Sequence, residues 1–174
     1  MRFTTPLVSL VLASAVAANQ PFLGLGLGGS SSQVHLNEDI EVPGDNPLCF
    51  CDDPSRDILK IDQVDLFPNP PQPGATLTIA ASGTLKQDVE DGAKVHLRVK
   101  YGLITLINQD ANLCEQIKNV DLQCPLKAGA LTFTKDVNLP REIPPGHYTV
   151  LADVLSKDGK KITCLTAKVN FTRG

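Results

Sequence analysis

The amino-acid sequence predicts an all-β domain, an immunoglobulin-like antiparallel β-sandwich of about seven strands. Strand-like runs of alternating apolar and polar residues recur along the chain, and turn-forming residues separate them. No segment keeps the 3.6-residue period of an amphipathic helix. The predicted strands are a short one before Cys51 and then 58–67, 75–85, 94–107, 130–139, 147–156 and 161–171.

Gly, Pro and Asp mark the turns between these strands. Asp158-Gly159 separates the last two alternating runs, and an Asp-Gly pair at such a place favours a tight β-hairpin. Further turn signals stand at 70–74, 91–92, 128–129 and 144–146.

The predicted strand 94–107 changes character halfway along. Its first half places four apolar side chains on one face, namely Val95, Leu97, Val99 and Tyr101. Its second half puts aliphatic side chains on both faces, at Leu103, Ile104, Leu106 and Ile107. The residues alone leave two explanations open: the neighbouring sheet and a loop cover the second set, or the second set lines a cavity.

The N-terminal residues have the parts of a secretory signal peptide. Met1-Arg2 carries a positive charge, residues 7–16 are apolar but too few to cross a bilayer, and Val16-Ala17-Ala18 offers small residues for cleavage. We interpret 1–18 as a signal peptide, 19–37 as a Gly/Ser-rich linker or propeptide, and 38–174 as the folded domain. The expected destination is the secretory pathway, either the vacuolar lumen or the outside of the cell.

The charge balance and the distribution of reactive side chains argue against two classes of function. Loss of Arg2 with the signal peptide leaves 15 basic and 19 acidic residues, so no basic field would attract nucleic acid. Asp52 and Asp53 precede a proline and fit a turn or a helix cap. His96 lies on the charged face of its predicted strand, and His147 has no partner visible in the sequence. Ser30, Ser31 and Ser32 lie in the linker. We expect no enzymatic activity and no cofactor.

The chain has five cysteines: Cys49, Cys51, Cys114, Cys124 and Cys164. In an oxidising compartment, five cysteines predict two disulfides and one spare thiol. A zinc site is the alternative. However, one residue between Cys49 and Cys51 is too tight a spacing for a zinc knuckle, and the three histidines do not form a ligand pair. We expect no metal.

Several segments, taken in order, resemble the ML lipid-recognition domain. They are CDDP at 51–54, VDLFPNPPQPGATLTIAASG at 64–83, VKYGLITL at 99–106, NLCEQIKNVDLQCPLKAG at 112–129 and IPPGHYTVLADV at 143–154. The resemblance covers roughly residues 38–174. It is strongest to the fungal phosphatidylglycerol/phosphatidylinositol transfer proteins, which are related to the lysosomal sterol carrier lost in Niemann–Pick type C disease.

The resemblance implies a sandwich whose sheets splay apart around a hydrophobic cavity. It implies a monomeric, non-enzymatic carrier that transfers phosphatidylglycerol or phosphatidylinositol between membranes and contacts the membrane surface transiently. Sterol is the alternative cargo. A competing hypothesis is an immunoglobulin-like protein-recognition module with a filled core, which binds another protein through its loops.

The resemblance also implies roles for particular residues. One sheet is expected to line the cavity with Leu97, Val99, Tyr101, Leu103, Ile104 and Leu106, and the other with Leu139, Ile143, Tyr148 and Val150. The expected disulfides are Cys51–Cys164 and Cys114–Cys124, with Cys49 unpaired; Cys49–Cys164 is the alternative pairing. Independently of the resemblance, Asn170-Phe171-Thr172 is an N-glycosylation sequon, which makes Asn170 a candidate acceptor.

Overall fold

The computed structural model describes residues 39–172, so the predicted signal peptide and linker lie outside the described residues. Within this range, nine strands form two antiparallel sheets. The predicted fold class, an antiparallel β-sandwich, is confirmed. The predicted number of strands was too small by two.

The large sheet has six strands and the small sheet has three. The order of the large sheet is β1 (Ile40–Glu41), β2 (Leu48–Phe50), β9 (Lys161–Phe171), β8 (Gly146–Leu155), β5 (Lys94–Tyr101) and β6 (Ile104–Asn112). The order of the small sheet is β3 (Leu59–Phe67), β4 (Thr76–Leu85) and β7 (Gly129–Asn138). Because three strands face six, the small sheet is too narrow to cover the whole inner face of the large one.

The predicted single strand 94–107 is wrong, because the chain forms a hairpin there. β5 ends at Tyr101, Gly102 and Leu103 make the turn, and β6 begins at Ile104. Gly102 has a φ of 54°, in the left-handed region that glycine adopts without steric cost. Its N–H donates a hydrogen bond to the carbonyl oxygen of His147 at 3.0 Å. The apolar residues on both sides of Gly102 concealed the turn in the sequence.

Three short helices connect the strands: the 3-10 helices Pro54–Arg56 and Ile117–Val120, and the α-helix α1 (Leu113–Gln116). Asp53 caps the first one, since its side chain accepts a hydrogen bond from the Ser55 N–H at 2.9 Å. The predicted capping role of this carboxylate is therefore confirmed. None of the helices in the described range is long and apolar enough to cross a membrane.

Two apolar clusters hold the sheets together. The first lies beside the loop that contains α1, and its buried members are Ile58, Leu85, Val89, Ala93, Leu126 and Ile162. The second joins Phe50 of the large sheet to buried side chains that include Val64, Leu66 and Leu77 of the small sheet. The inner face of each sheet is therefore the face that carries these side chains.

Both predicted disulfides are present, Cys51–Cys164 and Cys114–Cys124. The first ties the segment after β2 to the last strand, and the second closes the loop that contains α1. Cys49 is a free, half-buried thiol, so the alternative Cys49–Cys164 pairing is wrong. Burial, together with the nearby carboxylates of Asp39 and Glu41, raises the pKa of this thiol.

Candidate functional site

An apolar cavity of about 240 Å³ lies between the two sheets. Its wall comes from all three strands of the small sheet and from β2 and β9 of the large sheet, with aliphatic and aromatic side chains that include Leu48, Ile61, Ile79, Leu131, Phe133 and Leu165. Ser82 and Thr163 are the hydroxyl-bearing residues of this lining, which has no charged residue. The Thr163 hydroxyl is buried without a hydrogen-bond partner. Such a lining suits hydrocarbon.

None of the ten residues that the resemblance assigns to the cavity belongs to this wall. Strand pairing nevertheless places six of them on the inner face. Leu165 lines the cavity on β9, and its row of directly paired residues continues through Ala152 to Leu97. Directly paired residues in an antiparallel sheet project to the same face. The next row on that face contains Val150 and Val99. The row after it contains Tyr148, Tyr101 and Ile104.

The expected division of these residues between two sheets is wrong. Tyr148 and Val150 belong to β8, which is hydrogen-bonded to β5 in the large sheet. They therefore lie beside Tyr101 and Val99 and not across the interior from them. The sandwich's second wall is instead built by β3, β4 and β7, and none of the ten expected cavity residues lies on these strands.

The other four predicted residues have varied surroundings. Leu103 forms the hairpin turn and is 99% exposed, so it is no part of an enclosed wall. Leu106 lies at the register shift in β6 and is also exposed. Leu139 packs against the second apolar cluster, and Ile143 is half-buried in a cleft next to Pro70.

The inner face is only partly covered along β5, β8 and β6. Leu97, Val99 and Val150 are half-buried although they lie on interior strands of the large sheet. Ile107 on β6 is 39% exposed, and Val137, on the inner face of β7, is 36% exposed. In a closed sandwich such inward positions form the packed core. The interior is therefore open along the side where the edge strands β6 and β7 end the two sheets.

Aromatic side chains fix one end of this open face. The Tyr101 and Tyr148 rings lie 5.1 Å apart, and the Tyr148 and Phe171 rings lie 5.3 Å apart. Both tyrosine hydroxyls donate to backbone carbonyls, Tyr101 to Pro145 at 3.1 Å and Tyr148 to Pro144 at 2.9 Å. Burial raises the pKa of the Tyr148 hydroxyl, so this group stays neutral.

Comparison with known families accounts for this architecture. The family model of the ML domain matches residues 45–171, which include all the strands except β1. This chain belongs to the ML domain family.

A relative from Aspergillus fumigatus is 67% identical over 130 residues, 75% of this chain and 74% of the relative. A second, from Pyricularia oryzae, is 52% identical over 174 residues, 99% and 94% of the two chains. A third, from Aspergillus oryzae, is 65% identical over 162 residues, 92% and 89%. All three are named phosphatidylglycerol/phosphatidylinositol transfer protein.

The polar residues considered in the sequence lie away from the interior of this ML domain. His96 lies on the outer face of the large sheet, where its Nδ1 is 2.6 Å from Oδ1 of Asp110 on the adjacent strand. Asp52 forms an ion pair with Lys161 at 2.7 Å beside the Cys51–Cys164 disulfide. His147 is exposed at the start of β8 and pairs with Asn170. These groups do not converge on one site.

The sequence contained a signal for the part of the cavity wall that the resemblance missed. Leu77 and Ile79 alternate with threonines along β4, and Leu131 and Phe133 do so along β7. Such alternation identifies an inward face but does not distinguish a filled core from a cavity. Asn170 is exposed at the end of β9, and its glycosylation stays a prediction.

Proposed function

We propose that this ML domain is a non-enzymatic carrier that moves a glycerophospholipid between membranes. The acyl chains occupy the space between the sheets, and the headgroup stays at the opening between β6 and β7. One observation carries the proposal: the apolar wall of the cavity continues without a charged residue across β9, β8 and β5 to the partly exposed Ile107.

The energetics of lipid transfer fit this arrangement. Exposing two acyl chains of about 30 methylenes to water costs on the order of 24 kcal/mol, at about 0.8 kcal/mol for each methylene. A carrier lowers this cost by offering an apolar surface in place of the bilayer, and it makes or breaks no bond. The cavity of about 240 Å³ is smaller than typical ligand pockets of roughly 300–1,000 Å³. The chains must therefore also use the open face of β5 and β8.

The names of the relatives support an anionic glycerophospholipid, phosphatidylglycerol or phosphatidylinositol, as the cargo. Sterol is the alternative cargo for the same apolar space. The two cargoes differ in what they need at the opening, because a phospholipid brings a charged phosphate and a sterol brings one hydroxyl.

The hairpin between β5 and β6 supports a transient contact with the membrane surface. Its turn residue Leu103 is almost fully exposed, and Ile104 and Leu106 are more than half exposed. The hairpin borders the opening, because Ile104 pairs with Tyr101 of the inner face. Exposed aliphatic side chains lose contact with water when they enter the interfacial region of a bilayer. Contact through this hairpin brings the opening to the lipid.

The two disulfides support residence in an oxidising compartment, and we propose the vacuolar lumen or the outside of the cell. We propose that the carrier acts as a monomer, because a single chain supplies both walls of the interior.

The test is to purify the full chain from a eukaryotic secretory host and to analyse it by native mass spectrometry and by organic extraction. We expect one phospholipid for each chain, and we expect the delipidated protein to move fluorescent phosphatidylglycerol from donor to acceptor vesicles. Extraction of a sterol would favour the alternative cargo. A lipid-free protein without transfer activity would favour the protein-recognition module.

A further inference from the structure

Lys135 holds an unusual position in the sandwich. It pairs with Ile79 on β4, and Ile79 belongs to the apolar inner face of the small sheet. Leu131 and Phe133, two positions apart on β7, line the cavity on the same face as Lys135. Among the paired strand residues in the described range, Lys135 is the one charged side chain that projects inward.

The surroundings of its ammonium group leave hydrogen-bonding capacity free. Nζ donates one hydrogen bond, to the Asn119 carbonyl oxygen at 3.1 Å, and an ammonium has three donors. No carboxylate of residues 39–172 lies within ion-pairing distance of Nζ. Lys135 is half-buried, so its hydrocarbon stem lies along the apolar face while its charge lies next to the 3-10 helix Ile117–Val120.

From this geometry we infer that Lys135 binds the phosphate of the carried lipid at the opening of the cavity. The inference rests on the lipid-carrier function proposed above. Phe133 belongs to the cavity wall, and Lys135 follows two residues later, about 7 Å farther along the strand. Val137 is the next residue of β7 on this face, and 36% of it is exposed. A glycerophospholipid with its chains against Phe133 thus has its phosphate at the level of the lysine.

The chemistry matches an anionic phosphodiester and not a sterol. A lysine ammonium binds phosphate as a compact charge and keeps its hydrogen bonds through small rotations. The hydrogen bond that Nζ donates is exposed, so dissolved salt can screen this attraction. The hydroxyl of a sterol gains far less from a cation. Lys135 therefore selects phospholipid over sterol in an otherwise apolar interior.

A purely structural role makes a different prediction. β7 is an edge strand of the small sheet, and an inward-pointing charge on an edge strand deters pairing with the edge of another molecule. If that were the only role of Lys135, its neutralisation would cause self-association and would leave lipid affinity unchanged.

The test compares Lys135→Met, Lys135→Arg and Lys94→Met in the full delipidated protein. Lys94 is the first residue of β5 and is exposed on the outer face of the large sheet. Its replacement by methionine therefore removes the same charge as Lys135→Met, but from the outer face. Two probes carry the same fluorescent acyl chain: phosphatidylglycerol, and diacylglycerol, which lacks the phosphate. Affinities are measured by fluorescence titration at low and high salt, and size-exclusion chromatography reports self-association.

We expect Lys135→Met to weaken phosphatidylglycerol binding about tenfold, equivalent to about 1.4 kcal/mol, and to leave diacylglycerol binding within about twofold. Lys135→Arg and Lys94→Met should bind both probes as the unmodified chain does. Salt should weaken phosphatidylglycerol binding by the unmodified chain but not by Lys135→Met. Glycerol 3-phosphate should not compete at millimolar concentration, because the acyl chains supply most of the affinity.

Several results would overturn the inference. Equal loss of both probes in Lys135→Met, or equal retention of both with self-association, would assign Lys135 a structural role only. Competition by glycerol 3-phosphate would indicate a site for soluble phosphate esters and not for a lipid. Failure of the unmodified chain to bind either probe would refute the carrier function itself, a result distinct from the first two.

Discussion

Val99 lies directly opposite Val150 on neighbouring strands of the large sheet, and both side chains face the space between the sheets. Each is half-buried, although a strand flanks it on both sides. The pair therefore forms a patch of wall with free space in front of it. This placement makes the two valines probes of whether that space holds lipid.

Enlarging either valine should remove lipid transfer at little cost in stability. Overpacking a filled core typically costs about 1–3 kcal/mol, but an open wall accepts a larger ring. We expect Val99→Phe and Val150→Phe each to change the free energy of unfolding by less than about 1 kcal/mol and to lower phospholipid transfer at least about tenfold. Urea denaturation and vesicle transfer on the same preparations check both expectations.

Val89→Phe is the matched control, because Val89 is 1% exposed in the closed cluster next to α1. The free energy of unfolding of Val89→Phe should fall by about 1–3 kcal/mol, because the larger ring overpacks a filled cluster. Comparable destabilisation at all three valines, with transfer intact in the folded fraction, would mean a filled interior and would contradict the carrier function.

Alternation and turn chemistry were sufficient to predict most strands, and they failed where a turn lacked a strong marker. The predicted run 161–171 coincides with β9, and the Asp158-Gly159 hairpin is present between β8 and β9. The hairpin at Gly102 was missed, because a lone glycine between two apolar runs carries little turn information. Helix α1 was missed as well, since four residues are too few to show a period.

The site was harder to predict than the fold. Alternation assigns Val99 and Val150 to an inward face, but it contains no information on which strands pair across long sequence distances. The assignment of Val150 to the opposite sheet failed for that reason. Leu165 and Phe133 also alternate like ordinary core residues, and only the separation of the sheets makes them a cavity wall.

Removal of the long disulfide should destabilise the domain, whereas removal of the free thiol should not. Cys51 and Cys164 are separated by 113 residues, and closing a loop of that length contributes roughly 5 kcal/mol on the chain-entropy model. The bridge Cys114–Cys124 spans 10 residues and contributes roughly 3 kcal/mol. Thermal denaturation should show a large loss for Cys51→Ser, a smaller loss for Cys114→Ser and little change for Cys49→Ser.

A second comparison guards against rearrangement of the remaining thiols. Cys49 is two residues from Cys51 on β2, so it can form a non-native bridge to Cys164 when Cys51 is replaced. The double variant Cys49→Ser, Cys51→Ser prevents that rescue and should be at least as unstable as Cys51→Ser. Thiol titration should find one reactive group in it, that of Cys164. A stable double variant would contradict the stabilising role of the Cys51–Cys164 bridge.

Asp57 should make the domain less stable as the pH rises from acid toward neutral. It is 3% exposed, and burial is the main cause that raises the pKa of its carboxyl. The folded state then holds the proton more tightly than the unfolded chain. Stability is therefore lost as the pH rises from the unfolded pKa through the folded pKa. Asp57→Asn should raise the free energy of unfolding at neutral pH and flatten this part of the profile.

Asp53 is a control whose contribution to stability changes with pH in the opposite direction. Urea denaturation between about pH 3 and pH 7 measures both effects. Hydrogen bonds from the backbone and side chain of Ser55 lower the pKa of its carboxyl. Its contribution is present above the unfolded pKa and is lost as the pH falls through the folded pKa. Asp53→Ala should therefore lose stability at neutral pH and converge with the unmodified chain in acid. Parallel profiles for all three proteins would contradict both assignments.

A polar residue at the hairpin turn should weaken membrane contact and leave the fold intact. Leu103 is 99% exposed and packs against nothing that its loss would disturb, so Leu103→Asp should change stability by no more than about 0.5 kcal/mol. Aspartate resists transfer to the apolar part of the interface and is repelled by anionic lipid. We expect sedimentation with phosphatidylglycerol vesicles and the rate of lipid transfer both to fall several-fold. Binding of a single fluorescent phospholipid in solution should stay unchanged, because the interior is untouched.

Ile40→Asp is the control, since Ile40 is an exposed aliphatic residue on β1, at the edge of the large sheet opposite β6. An equal loss of vesicle binding in both variants would show that the hairpin has no special part in docking.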